Sequence, residues 1–71
     1  MNWNHRIVNI EGMLHFMEVS YRNHKPVGCN EPFMCSETVA GMGKLVERLD
    51  EALSQPVLNY DDIKEDTDVN A

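Results

Sequence analysis

The chain has 71 residues, a formal net charge of −6 and 42% hydrophobic residues. A domain of this size buries only about 60% of its unfolded surface, which leaves little room for a deep active-site cavity. The acidic balance argues against a phosphate-backbone binder, and no stretch approaches the roughly 20 apolar residues that span a bilayer.

The charge is unevenly placed. Asp61, Asp62, Glu65, Asp66 and Asp68 against Lys64 give −4 over residues 61–71, so residues 1–60, with seven acids and five bases, carry −2. The expected organisation is one folded domain over 1–60 and a disordered acidic tail over 61–71, too polar to join a core. The opening Met-Asn-Trp-Asn-His-Arg lacks the apolar run of a signal peptide. A cytoplasmic location follows as the expectation, with Cys29 and Cys35 as reduced thiols.

Trp3 to Ile10 reads as a first strand, with Trp3, His5 and Ile7 on one face and Arg6, Val8 and Ile10 on the other. Glu11-Gly12 supplies a turn. Met13 to Arg22 forms a second strand, rich in β-compatible Leu14, Phe16, Val19 and Tyr21. Both of its faces are partly apolar, so this strand alone does not say which one the helix covers. Asn23, His24, Lys25, Pro26 and Gly28 make a loop. A third strand is placed from about Val27 to Cys35, with Pro32 marking an edge or a bulge.

Thr38 is the expected N-cap of a helix. Val39, Met42, Leu45, Val46, Leu49, Ala52 and Leu53 then recur at three- and four-residue steps as one apolar stripe. Gly41 and Gly43 weaken its first turns, or let it pack closely, and Pro56 ends it. Pro56 to Tyr60 is a short apolar return that tucks onto the sheet or the helix end. The fold class is therefore α+β: a three-stranded antiparallel β-meander packed on one C-terminal helix, in the order β-β-β-α.

Chemistry is sparse along this chain. His5, His15, His24, Cys29 and Cys35 are suitable zinc ligands, but no Cys-x2-Cys or His-x3-His pair brings two together, and His5 with His15 as cross-strand neighbours is a weak signal. No Cys-x-x-Cys motif activates a thiol. Gly41-Met42-Gly43 lies inside the helix rather than in a phosphate-binding turn. No catalytic residue, cofactor or metal is expected. Arg6, Arg22 and Lys25 beside Trp3 and Tyr21 are few for a nucleic-acid face.

Trp3-Asn4-His5-Arg6-Ile7-Val8, Glu18-Val19 followed by Tyr21, Glu31-Pro32, and Ala52-Leu53-Ser54-Gln55-Pro56-Val57-Leu58 together resemble a family of small uncharacterised bacterial and prophage proteins. Its pattern is a W-N-x-R-[VI] start, an E-V-x-Y strand and an A-L-x-x-P-V-L end. The resemblance covers about residues 3–60 and implies a meander plus a helix, with no established activity. Thr38-Val39-Ala40-Gly41-Met42 departs from it by lacking the capping-box glutamate, and the acidic extension after Tyr60 departs from it as well.

Arg6 and Glu18, mid-strand on neighbouring strands, are expected to pair across the sheet, a contact worth at most about 1 kcal/mol if half-exposed. Trp3, Arg6, Glu18 and Tyr21 are the candidate partner-binding residues, marking the sheet face that one helix leaves open. The expected function is a non-enzymatic protein-interaction module. In a phage context it would bind and modulate a host protein, in the sharpest version a defence complex in the manner of anti-CRISPR proteins. A homodimeric housekeeping or structural protein and a weak nucleic-acid binder are the alternatives.

Overall fold

The computed structural model describes residues 2–63; the remainder of the acidic tail, from Lys64, lies outside the described residues. Strand β1 (Asn2–Ile10) pairs antiparallel with β2 (Met13–Arg22), and β2 with β3 (Lys25–Asn30). Helix α1 (Val39–Leu53) follows, then a two-residue strand β4 (Leu58–Asn59) and a 3-10 turn at Tyr60–Asp62. No helix among the described residues is long and apolar enough to cross a membrane.

The two hairpins share one device. Glu11 and Gly12 have φ of 52° and 90°, and Asn23 and His24 have 52° and 67°. Two consecutive residues at positive φ match the right-handed twist of the flanking strands. Asn9 helps set the first turn, its side-chain oxygen accepting from the Gly12 N–H at 2.9 Å.

The sheet has four strands in the order β3-β2-β1-β4, which corrects the expected three. The apolar return after the helix becomes β4, lying parallel to β1 with Leu58 beside Val8 and Asn59 beside Asn9. Strand β3 ends at Asn30 instead of running to Cys35. Pro32 lacks the N–H that a ladder requires, and Gly28 sits inside the strand opposite Ser20 rather than in a loop.

The core also departs from expectation. Val8, Met17, Val19 and Ile63 form it, with Ile10, Tyr21, Cys29 and Leu58 packed around them. The register puts Val8, Met17 and Val19 on one sheet face. The C-terminal return closes that face: Tyr60–Asp62 form a 3-10 turn and Ile63 packs into the core.

Thr38 caps α1 as expected, its hydroxyl oxygen accepting from the Gly41 N–H at 3.0 Å. The helix packs on β1, but along its whole length only Ala52 is buried, with Gly41, Leu45 and Leu49 half-buried. The apolar stripe is thus largely left in water. A Cβ on Gly41 would run into the Ser36 side chain, whereas one on Gly43 would meet nothing within 4 Å. Gly43→Ala is therefore expected to raise stability by about 0.5–1 kcal/mol through helix propensity. Gly41→Ala should instead lower it by about 1 kcal/mol through overpacking. Urea denaturation checks the contrast, and equal effects would remove Ser36 as the cause.

Candidate functional site

The β1–β2 register divides the four candidate residues between two faces. Trp3 stands opposite Ser20 and His5 opposite Glu18, while Arg6 stands opposite Met17 and Asn2 opposite Tyr21. Trp3 and Glu18 thus share one face, and Arg6 and Tyr21 share the other. The expected Arg6–Glu18 pair does not form, because the two side chains leave opposite sides of the sheet. His5 and His15 are likewise not cross-strand neighbours, since His15 pairs with Val8.

Three of the four have internal partners. The Arg6 guanidinium is buried and donates to the Tyr21 hydroxyl at 3.0 Å and to the Pro56 carbonyl at 2.7 Å. Tyr21 in turn donates to the Asn4 side-chain oxygen at 2.8 Å. Glu18 accepts from the Phe33 N–H at 3.0 Å and lies 4.0 Å from the His5 ring. These bonds fasten β1 to β2, β1 to the loop that follows α1, and β2 to the loop that follows β3. Trp3 alone stays open, 52% exposed, with Arg48 of α1 over its ring at 5.8 Å.

Trp3, Asn4 and His5 face Arg48, Glu51 and Gln55 across an open notch of about 300 Å³. His5 is the unusual member. It is only 4% exposed, meets Trp3 edge-on, and neither ring nitrogen makes a hydrogen bond among the described residues. A buried polar group without a hydrogen bond costs about 1–3 kcal/mol. His5→Leu is accordingly expected to raise stability by about 1 kcal/mol in urea denaturation; a loss of that size would mean the ring is satisfied by solvent in the notch.

Among the described residues no three His, Cys, Asp or Glu side chains come together as a metal-binding group. Cys29 and Cys35 are not joined in a disulfide, the first lying half-buried against the core and the second exposed. Of the three basic residues considered for nucleic acid, Arg6 is buried, while Arg22 and Lys25 pair in register beside the second hairpin turn.

What the surface does offer is apolar area. Leu14 and Phe16 lie on the Trp3 face of the sheet, beyond the notch, opposite Asn9 and Ile7. Leu14 is 62% exposed, and Met13 at the hairpin end and Phe33 in the loop after β3 are more exposed still. Sequence reasoning missed Leu14, Phe16 and Phe33 as surface residues because each is a type normally used for a core. Their signal was the count of apolar positions, larger than one small sheet and one helix can cover.

No protein-family model, no curated protein and no solved structure matches this chain.

Proposed function

We propose that this protein is a non-enzymatic interaction module that binds a protein partner through the apolar face of its β1–β2 hairpin. The observation that carries the reading is the balance of burial. Five apolar side chains form the buried interior of the described residues, while large apolar residues on the hairpin, the loop after β3 and the helix stand in water. Large apolar side chains exposed on one face mark association surfaces in soluble proteins, and Leu14 and Phe16 share the Trp3 face of the hairpin. Trp3, at the near end of the same sheet face, adds the aromatic anchor typical of binding hot spots.

A phage-type accessory role, with a host protein as the partner, is supported by the sequence resemblance. The narrower role of blocking a defence complex adds to this only the small size and the acidity. Affinity capture from a bacterial lysate, with the full chain and with a Leu14→Lys/Phe16→Lys variant, tests the reading. The expected result is a defined protein retained by the first and lost by the second. Equal capture by both, or none by either, overturns it.

A further inference from the structure

Helix α1 has two apolar lines where a helix that only backs a sheet needs one. The sheet side carries Ala52, buried, with Leu45 and Leu49 half-buried. The second line is Val39, Met42, Val46, Leu49 and Leu53, whose steps of three and four residues alternate without a break. That is the spacing of a coiled-coil a/d seam, held over two heptads. Val39 is 89% exposed, Val46 64% and Leu53 61%.

The helix is otherwise poorly supported. A 15-residue helix is marginal on its own, and α1 has no acid in its first turn, no base in its last, and glycine at 41 and 43. Most helical stability comes from packing an apolar face, yet the sheet supplies a fully buried site only at Ala52.

We infer that the seam pairs with the same seam of a second copy, making a two-fold dimer through α1. The inference goes beyond the hairpin reading above and concerns a second face of the molecule. Two features favour a second copy. An alternating three–four stripe offers knobs and holes to a helix of the same pattern, which is the self-complementarity that a two-fold interface requires. The area is also adequate, since two copies burying the stripe and its flanks remove on the order of 1,000 Å², where specific interfaces begin.

Sedimentation equilibrium of the full chain tests this, together with Val39→Lys, Val46→Glu and a Leu14→Lys control on the sheet face. The expected mass of the wild type is twice 8.2 kDa, with helix content falling on about hundredfold dilution as mass action demands. Val39→Lys and Val46→Glu should sediment as monomers, and Leu14→Lys as a dimer. Val46→Glu risks unfolding the monomer, but Val39 is too exposed to matter to it, so Val39→Lys decides. A wild type that stays monomeric at every concentration overturns the seam and leaves the hairpin reading to the lysate capture. Dimers that survive Val39→Lys but not Leu14→Lys overturn it equally, moving self-association to the sheet.

Discussion

A chain ended at Tyr60 is expected to lose cooperative folding, while one ended at Ile63 keeps it. Ile63 is 9% exposed and packs with Val8, Met17 and Val19, the two valines being fully buried. The 3-10 turn places it there, the Ile63 N–H donating to the Tyr60 carbonyl at 3.0 Å. Removing it opens the sheet face that α1 does not close. Ile→Ala in a core costs about 2–5 kcal/mol, and a domain of this size has a total stability of roughly 5 kcal/mol. Ile63→Ala should therefore lower stability by about 3 kcal/mol, and the shorter chain, which loses the whole turn, should show no sigmoidal unfolding. Urea titration followed by circular dichroism reads both. An Ile63→Ala protein within about 0.5 kcal/mol of wild type, the range of an ordinary surface change, would take Ile63 out of the core.

That result concerns a residue whose role the sequence hid. Local chemistry was legible where it acts over a few residues. Gly12 and the alternation on either side of it announce the first hairpin, and Thr38 announces the helix start, because turns and caps are decided by neighbouring atoms. Ile63 was illegible for the opposite reason. It sits among Tyr60, Asp61, Asp62 and Lys64, so the composition of its window reads as tail, and only its long-range partners on β1 and β2 reveal it as core. The helix misled in the same way. Amphipathic spacing shows that α1 has an apolar side, yet it does not say whether the sheet or another molecule covers that side. Two lines sharing Leu49 look like one broad stripe until burial separates them.

The candidate site was legible as chemistry and illegible as geometry. Trp3, Arg6, Glu18 and Tyr21 are the chemically expressive residues of the two long strands. Their faces depend on strand parity and on the pairing across the hairpin, where an odd residue of β1 meets an even one of β2. Once paired, the polar members turn inward to fasten loops. The exposed Leu14 and Phe16 side chains of the hairpin face are where the proposed partner would dock.

Arg6→Ala is expected to cost about 3 kcal/mol, from two lost hydrogen bonds of a charged donor and the void left by a buried side chain. The guanidinium joins the Tyr21 hydroxyl on β2 to the Pro56 carbonyl just after α1, a residue 50 positions away. Among the described residues it has no carboxylate partner, so its stabilising contacts there are to neutral oxygens. Truncation to alanine removes both hydrogen bonds and leaves a void beside β1, and a hydrogen bond to a charged group is worth about 1.5–3 kcal/mol. Arg6→Met separates the two contributions: it refills the volume without restoring the donors, so it should recover about 1 kcal/mol of the loss. Arg6→Lys should recover little, because an ammonium lacks the planar fork that reaches two acceptors at once. Tyr21→Phe should cost about 1 kcal/mol, and combined with Arg6→Met it should cost less than the sum of the single changes, since both remove the same hydrogen bond. Additive costs in that cycle would show that Arg6 and Tyr21 do not act together. The expected coupling would instead assign the W-N-x-R start, the E-V-x-Y strand and the P-V-L end to one structural fastening, with binding left to the apolar residues beside it.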